Sequence, residues 1–297
     1  MAMRSWLFVP GDSQAKLDKV ASLGADIVIV DLEDAVAPPA KPAARQLARR
    51  WLEAHGRQVI AGGRFGRWVR INPLDTPLWR EDIAVIMQGR PDGIVVPKAT
   101  GPEQLQVLAA ELLQQEQRNG FAIGTTRILP LVSETPAAAL GIAAYASASL
   151  PRLAGLTWGA EDLSAAIGAN RKRDERGYWV DVFRYVRAQV LLAAHARGVA
   201  PIDTLHADFR DTEGLRRIAA ESYADGFAGM LAIHPSQVPI INAAFTPGET
   251  EIAQARAIVA AFSANPGAGA LQLDGRMIDQ PHLEQARQLL ERCGKSV

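Results

Sequence analysis

The chain has 297 residues, and its 32 Lys and Arg are balanced by 32 Asp and Glu. This balance excludes a general attraction to nucleic acid or to an anionic membrane, so neither is expected as a partner. The single cysteine, Cys293, excludes an internal disulfide, and no apolar stretch approaches the ~20 residues of a membrane span. Because the first residues also lack the apolar core of a signal peptide, we predict a cytoplasmic protein.

Short β-rich segments alternate with longer amphipathic segments over residues 1–245. Eight segments predict strands, at 5–9, 26–31, 67–71, 93–97, 127–132, 153–158, 199–202 and 229–233. Apolar side chains spaced by three and four residues predict helices at 14–24, 41–56, 101–120 and 181–198. Strands of nearly continuous Val, Ile and Leu indicate a parallel sheet covered by helices. Eight such units predict an α/β fold, a (β/α)8 TIM-barrel catalytic domain over 1–245, in preference to an open doubly wound sheet.

Residues 246–297 have a different pattern, which predicts a C-terminal helical arm or lid. A helix over 249–263 is followed by the Gly- and Pro-rich break ANPGAGA, the short apolar stretch ALQLDGRMID and a final helix over 282–292. The apolar ALQL segment would have little to bury against if the arm hung free of its own barrel. We therefore expect the arm to dock over the barrel of a neighbouring subunit.

Polar side chains follow almost every predicted strand at the point where the strand ends. In chain order they are Asp31, Glu33, Asp34, Arg70, Asn72, Lys98, Glu134, Glu161, Asp162, Asp203 and His234. The active sites of TIM barrels are built from these carboxyl ends and the loops that follow them. Helix capping is an alternative explanation for any single acid, but it accounts poorly for all of them together.

Glu134 and Asp162 follow neighbouring strands and are expected to face each other across the barrel mouth. Mg²⁺ is commonly held by one or two carboxylates, with water and substrate oxygens in the remaining positions, so this pair suits Mg²⁺. Glu161 and Asp162 are adjacent in a turn and should diverge, which leaves only one of them as a ligand. The periodicity of the sequence does not decide which.

Arg70 ends a strand in the segment RWVRINP, and its guanidinium group has the shape that binds a carboxylate through two hydrogen bonds. It is therefore a candidate for binding a substrate carboxylate beside the metal. The alternative is a structural ion pair with Asp31 or Glu33. A metal ion, an arginine and several acids suit chemistry in which negative charge builds on a carbonyl or enolate oxygen.

Eight segments, spread over almost the whole chain, resemble the successive sequence blocks of one enzyme group. They are RSWLFVPGDS, DIVIVDLEDAVAP, VRINP, GIVVPKA, LVSETPAAAL, WGAEDLSAAIG, GFAGMLAIHPSQ and DGRMIDQPHLEQA. The group is the CitE-like family, which comprises citrate lyase β subunits and the related malyl-CoA and citramalyl-CoA lyases of the HpcH/HpaI aldolase superfamily. The resemblance implies a TIM barrel and Mg²⁺ bound by Glu134 and Asp162, so that Glu161 is turned aside. It also implies that Arg70 holds the carboxylate of a 2-oxo acid.

The same resemblance implies roles for five further residues. Asp279 matches a catalytic acid that one subunit of an oligomer, often a trimer or hexamer, supplies in trans to another. Glu33 and Asp34 match catalytic positions near the metal-bound water and the substrate, and Lys16 and Lys98 match positions near the CoA portion. Simple capping of the final helix is the alternative for Asp279.

We therefore predict a Mg²⁺-dependent carbon–carbon lyase that works as a homotrimer or hexamer. Its substrate is a 3-hydroxyacyl-CoA thioester of the citryl-CoA, malyl-CoA or citramalyl-CoA type, and its products are a 2-oxo acid, such as oxaloacetate, and an acyl-CoA. A citrate lyase β subunit would further require an acyl-carrier subunit. Two alternatives stay open: a class II pyruvate-type aldolase that uses free aldehydes, and a non-catalytic protein that binds 2-oxo acids.

Overall fold

The computed structural model describes residues 3–56 and 65–293. The chain divides between Phe245 and Thr246 into two compact units, which are described separately. The larger unit contains eight parallel strands: β1 (Ser5–Pro10), β2 (Ile27–Asp31), β3 (Gly66–Arg70), β4 (Gly93–Val96), β5 (Arg127–Pro130), β6 (Gly155–Leu156), β7 (Ala200–Asp203) and β8 (Gly229–Ala232). In the described part of the chain, no helix is both long and apolar enough to cross a membrane.

The eight strands form a closed barrel. Hydrogen-bonded neighbours follow the order β5-β4-β3-β2-β1-β8-β7-β6. Parallel bridges from Ile128 to Leu153 and from Leu131 to Thr157 then join β5 to the segment that contains β6. The prediction of a (β/α)8 barrel is confirmed, and each predicted strand overlaps an observed one.

Helices follow the strands along the chain. They are α1 (Gln14–Val20), α2 (Lys41–His55), α3 (Leu78–Ile86), α4 (Pro102–Arg118), α5 (Pro136–Leu140), α6 (Ala160–Ala166), α7 (Asp181–Arg197), α8 (Thr212–Ala224) and α9 (Gln237–Ala244). The four predicted helices correspond to α1, α2, α4 and α7. Helix α1 ends at Val20, before the predicted end at Gly24, which has a left-handed φ of +74°. Thr135 caps α5, because its side chain accepts a hydrogen bond from the amide of Ala138.

Large apolar side chains fill the barrel interior. The buried members of this cluster are Trp6, Ile27, Ile29, Trp68, Val95, Leu129, Leu131, Ile202 and Leu231. Trp6 and Trp68 meet edge to face, with their ring centroids 4.9 Å apart. A Cβ on Gly93 of β4 would come within 2.4 Å of the Trp68 ring. Glycine at this position therefore lets the indole lie against the neighbouring strand.

A buried ion pair joins α4 to the segment before β6. Glu116 is 0% exposed, and its carboxylate accepts hydrogen bonds from NH1 and NH2 of Arg152 at 2.8 and 2.7 Å. The amides of Gly124 and Thr126 donate to the same carboxylate at 2.7 and 2.9 Å. Burial alone would raise the pKa of Glu116, but the bonds from Arg152 and the two amides lower it to about 2.

The low pKa of Glu116 predicts a stability that is sensitive to acid. Because the folded-state pKa of about 2 lies below the ordinary 4.5, the stabilisation is complete above pH 4.5 and is lost as the pH falls toward 2. At neutral pH it is worth about 3 kcal/mol of unfolding free energy. Denaturant unfolding should show that Glu116→Gln is less stable at neutral pH and loses less stability in acid than the parent chain. Equal acid sensitivity of the two chains would contradict this prediction.

The smaller unit consists of two helices and a β-hairpin. Helix α10 (Glu249–Ala264) is followed by the antiparallel strands β9 (Ala270–Leu273) and β10 (Arg276–Asp279) and by α11 (Gln280–Arg292). The stretch ALQLDGRMID therefore folds back on itself at Asp274 and Gly275, whose φ angles are +50° and +78°. Two positive φ angles are typical of the two-residue turn that an Asp-Gly pair favours.

The hairpin buries apolar side chains within its own unit. Ile278 of β10 is 5% exposed and clusters with Ile258 and Phe262 of α10 and with Leu283 and Leu290 of α11. Leu271 and Leu273 of the ALQL segment are partly buried and pack against the same cluster. The expectation that ALQL has little to bury against without a neighbouring subunit is therefore wrong.

Candidate active site

Acidic and basic side chains meet at the carboxyl ends of the barrel strands. Glu33 follows β2, Arg70 ends β3, and Lys98, Glu134 and Asp162 follow β4, β5 and β6. Because the strands are parallel, their carboxyl ends lie together at one end of the barrel. Residues that are far apart in the sequence therefore become neighbours there.

The structure brings together six of the eight site residues predicted from the sequence. They are Glu33, Asp34, Arg70, Lys98, Glu134 and Asp162. Lys16 and Asp279 are described separately. Lys16 is exposed on α1 and is not part of the cavity lining described below. Asp279 belongs to the smaller unit, where it is the N-cap residue of α11.

Glu134 is an enclosed acid with 3% exposure. Its Oε2 accepts a hydrogen bond from the backbone amide of Lys98. Gly159 lies against the other carboxylate oxygen, since a Cβ there would come within 3.0 Å of Oε1. Burial, together with the negative charge of Asp162, raises the pKa of Glu134 to about 8. A cation at this place would stabilise the charged form of both acids.

Glu161 and Asp162 lie together in the first turn of α6 but make different contacts. Glu161 forms an ion pair with Lys172. The carboxyl of Asp162 is close enough to Glu134 to raise the pKa of that residue, and its Oδ1 lies 4.0 Å from Nζ of Lys98. The two adjacent acids therefore diverge, and Asp162 is the one beside Glu134.

Arg70 directs its guanidinium group at carboxylates of the protein itself. Nε and NH2 donate to the two oxygens of Asp31, both at 2.7 Å, and NH1 lies 3.0 Å from Oε2 of Glu33. The register of β2 and β3 places Asp31 opposite Arg70, so this pair follows from the strand pairing. The guanidinium also lies over the ring of Phe8, 4.8 Å from its centroid. The structural ion pair considered above is thus present, and substrate binding by Arg70 stays a prediction.

Lys98 joins two parts of the acidic cluster. Its φ of +50° is left-handed, a conformation that costs about 1 to 3 kcal/mol for most residues and is common at functional sites. In this conformation its amide donates to Glu134, while Nζ lies 2.5 Å from Oε1 of Glu33 and 3.6 Å from Oδ1 of Asp34. Burial acts to lower the pKa of Lys98, but the bond with Glu33 and the nearby acids raise it overall. The ammonium group that the resemblance associates with CoA therefore lies among carboxylates.

Lys41, which the sequence analysis did not single out, holds the loop that carries Glu33. It is 7% exposed at the start of α2, and its Nζ donates to the carbonyls of Leu32 and Glu33 at 2.7 and 2.9 Å and to Oδ1 of Asn72 at 2.7 Å. These acceptors use all three protons of the ammonium group. No sequence pattern marks a lysine that binds backbone carbonyls. The only available signal was its position in the first turn of a helix, where the helix dipole disfavours a positive charge.

Replacing Lys41 with Met should destabilise the protein by about 3 kcal/mol, because two carbonyls and one amide oxygen lose their buried donor. The melting temperature should fall by roughly 10 °C in a thermal scan. Lys19→Met, at an exposed position of α1, is the matched control and should melt like the parent. If Lys41→Met also melts like the parent, Lys41 does not anchor the loop.

The donors at this edge of the barrel fit a hard divalent cation. Glu134 and Asp162 offer carboxylate oxygens, and Oε1 of Glu134 takes no part in the hydrogen bond from Lys98. Mg²⁺ takes oxygen ligands and keeps several positions for water or substrate, so two carboxylates suffice. Within residues 3–56 and 65–293, no group of three or more His, Cys, Asp or Glu is arranged to hold a metal.

A cavity at this edge has a charged side and an apolar side. Its charged lining residues are Arg70, Glu134, Glu161 and Asp162. The apolar ones are Phe8, Leu131, Trp158, Leu205 and Leu231, and Thr204, Gly159 and Ala160 complete the lining. Such a cavity suits a small ligand with one charged end and one apolar end.

Comparison with known proteins gives one family. The sequence model described as HpcH/HpaI aldolase/citrate lyase matches residues 4–235. The citrate lyase subunit beta-like protein of Mycobacterium tuberculosis is 35% identical over 98% of this chain and 96% of its own length. The L-malyl-CoA/beta-methylmalyl-CoA lyase of Cereibacter sphaeroides is 33% identical over 98% of this chain and 94% of its own length.

A solved structure is similar along the same length. It is the crystal structure of CitE from Mycobacterium tuberculosis in complex with magnesium, acetoacetate and coenzyme A. It matches with a TM-score of 0.77 and 34% sequence identity, and the match covers 99% of each chain. The similarity therefore includes the C-terminal segment as well as the barrel.

Proposed function

Because the chain belongs to the HpcH/HpaI aldolase/citrate lyase family, we propose that it is a Mg²⁺-dependent carbon–carbon lyase. Its substrate is a 3-hydroxyacyl-CoA thioester with a carboxylate on the hydroxyl carbon, and its products are a 2-oxo acid and an acyl-CoA. The observation that carries the proposal is the pair of carboxylates, Glu134 and Asp162, which lines the cavity at the barrel mouth. The magnesium and coenzyme A bound to the similar CitE structure support it.

The proposed reaction is an aldol-type cleavage. A base removes the hydroxyl proton, and the bond between the hydroxyl carbon and the α-carbon of the thioester breaks. The hydroxyl carbon becomes the carbonyl of the 2-oxo acid, while the electron pair of the broken bond forms the thioester enolate. An acid then returns a proton to the α-carbon, so atoms and charge balance.

Glu134 and Asp162 would hold the metal, which supplies a Lewis acid for the carboxylate and hydroxyl oxygens of the substrate when bound. Arg70 provides the positive charge on the same cavity wall for the substrate carboxylate. Its pairing with Asp31 fixes the plane of the guanidinium group, so a substrate carboxylate would share NH1 with Glu33.

Glu33 and Asp34 receive different parts in the proposal because their side chains are 4% and 59% exposed. Glu33 is enclosed and contacts both Lys98 and Arg70, so it positions these two cations. Asp34 is accessible and lies near Lys98, so it is the candidate that removes the hydroxyl proton. Lys98 offsets the charge of both acids, and its partly exposed side chain is also the candidate for contact with the CoA portion.

The remaining parts of the proposal concern assembly. Asp279 acts as the acid, supplied by another subunit of a homotrimer or hexamer, and exposed Lys16 contacts the CoA portion. An acyl-carrier subunit is needed only if the chain works as a citrate lyase β subunit. The protein works in the cytoplasm.

A panel of thioesters tests the proposal. Citryl-CoA, malyl-CoA and citramalyl-CoA are incubated with the protein and Mg²⁺, and the 2-oxo acid is detected as its phenylhydrazone while free thiol is detected separately. A lyase releases the 2-oxo acid without free thiol, and both chelation of Mg²⁺ and Glu134→Gln should abolish the signal. Release of free thiol would indicate thioester hydrolysis, and cleavage of hydroxy-oxo acids without CoA would indicate a pyruvate-type aldolase. Binding of 2-oxo acids without any product would indicate a binding protein.

A further inference from the structure

The three thioesters considered above differ only in one substituent on the hydroxyl carbon. It is hydrogen in malyl-CoA, methyl in citramalyl-CoA and a carboxymethyl group in citryl-CoA. Cleavage gives glyoxylate, pyruvate and oxaloacetate, respectively. The 2-oxo acid site must therefore accommodate either a small neutral substituent or a second carboxylate.

The neutral side chains among the described lining residues are mostly apolar, with Thr204 as the polar exception. Phe8 belongs to β1 and Leu231 to β8, whereas Leu131, Trp158 and Leu205 follow β5, β6 and β7. Leu131 and Leu231 are 4% and 1% exposed and belong to the packed barrel interior, so they form a fixed floor. A carboxylate placed against these side chains would lose its hydration and gain no cation, because Nε1 of Trp158 donates to Asp203 and the other neutral donor among the described lining side chains is the hydroxyl of Thr204.

The cations around the cavity are already bound to protein acids. Arg70 is the one cation among the described residues that line the cavity, and it is paired with Asp31 and Glu33. Lys98 is held by Glu33, and Lys172 is held by Glu161. One substrate carboxylate can bind to the metal and to Arg70. A second carboxylate would have to compete with these protein acids for a cation.

We infer that the 2-oxo acid accepted at this site carries one carboxylate and a hydrogen or short alkyl substituent, and that a second carboxylate is discriminated against. The inference rests on the proposed lyase function, and it selects malyl-CoA and citramalyl-CoA over citryl-CoA. The apolar wall of Phe8, Leu131, Leu205 and Leu231 makes this selection by leaving the extra carboxylate without a cation, which penalises binding more than a change in size does.

A matched pair of ligands separates charge from size. 2-Oxobutyrate and oxaloacetate differ in that a terminal methyl group is replaced by a carboxylate, and pyruvate is the smaller reference. Calorimetric titration in the presence of Mg²⁺ should give at least about tenfold tighter binding of 2-oxobutyrate and pyruvate than of oxaloacetate. Oxaloacetate is prepared fresh and assayed for pyruvate, because Mg²⁺ promotes its decarboxylation. Oxaloacetate binding as tightly as 2-oxobutyrate would overturn the inference.

A single substitution should change the selectivity. Leu205 is half-buried at the mouth of the cavity, so Leu205→Lys adds a cation without opening the barrel interior. It should improve the affinity for oxaloacetate relative to 2-oxobutyrate by about tenfold. Leu192→Lys, at a 69% exposed position of α7, is the matched control and should leave the ratio unchanged. If Leu205→Lys fails a melting check, the ligand pair on the parent chain decides alone.

Thioester cleavage separates failure of this inference from failure of the proposed function. Malyl-CoA or citramalyl-CoA cleaved at least about tenfold faster than citryl-CoA supports both. Citryl-CoA cleaved fastest overturns the inference and leaves the lyase function standing. If no thioester is cleaved, the lyase function fails, and the titration of the oxo acids still decides whether the site rejects a second carboxylate.

Discussion

Asp162→Ala is expected to lower the affinity for Mg²⁺ by at least about 100-fold, whereas Glu161→Ala should leave it nearly unchanged. Residues that merely support a metal ligand already contribute about 10- to 100-fold to affinity, so loss of one of two carboxylate ligands should cost more. Asp162 lies beside Glu134, while Glu161 is held by Lys172 on a half-exposed surface. Calorimetric titration of Mg²⁺ into the two variants measures the difference directly.

The fold should survive both substitutions, and this can be checked by thermal melting. With a pKa of about 8, Glu134 is mostly protonated at neutral pH and can donate to Asp162, so Asp162→Ala removes one hydrogen bond and should cost only about 1 kcal/mol without metal. The two variants are matched because the acids are adjacent in the first turn of α6. Loss of Mg²⁺ binding in Glu161→Ala with retention in Asp162→Ala would reverse the assignment of the ligand.

The barrel could be predicted from the sequence because its strands are buried on both sides. Segments such as DIVIVD and GIVVP are short, apolar and β-branched, and β2 and β4 lie where these segments predict them. Helices α3 and α8 were not singled out. Both are amphipathic, since their buried residues recur at three- and four-residue spacing: Trp79, Asp82, Ile83 and Ile86 in α3, and Leu215, Ile218, Ala219 and Ser222 in α8. The buried polar Asp82 and Ser222 interrupt the apolar stripe of each helix, but the pattern was present in the sequence and was not used.

The location of the site could also be predicted, but its internal pairing could not. Strand order places Glu134 and Asp162 next to each other, and the register of β2 and β3 places Arg70 opposite Asp31. Whether Arg70 pairs with that acid or with a substrate depends on side-chain geometry, which the sequence leaves open. Lys41 was missed because two of its three acceptors are backbone carbonyls, which any residue supplies.

In the smaller unit, a turn signal was present in the sequence and was not used. The Asp274-Gly275 pair sits between two apolar stretches, which is a strong short-range indication of a hairpin. Reading ALQLDGRMID as one apolar segment led to the wrong expectation about its burial. The hairpin also places Asp279 at the end of β10, directly before α11.

Asp279→Asn is expected to abolish the lyase activity while leaving the melting temperature nearly unchanged. Asp279 is the N-cap residue of α11, and its Oδ1 lies 2.5 Å from Nδ1 of His282. Asn caps helices about as well as Asp, so Asn preserves this role but has no acidic proton to give to an enolate. Full activity of Asp279→Asn would show that capping is the only role of this residue.

The supply of this acid in trans can be tested by mixing two inactive chains. Asp279→Asn keeps the metal carboxylates, and Glu134→Ala keeps the acid. In an oligomer formed from equal amounts of both, a site is complete when an Asp279→Asn barrel receives Asp279 from a Glu134→Ala neighbour. Random assembly makes about a quarter of the sites complete, so activity should recover to about that fraction of the parent level. Oligomers verified as mixed that stay inactive would place Asp279 in its own subunit's site, because an acid supplied in cis leaves every site in the mixture with one defect.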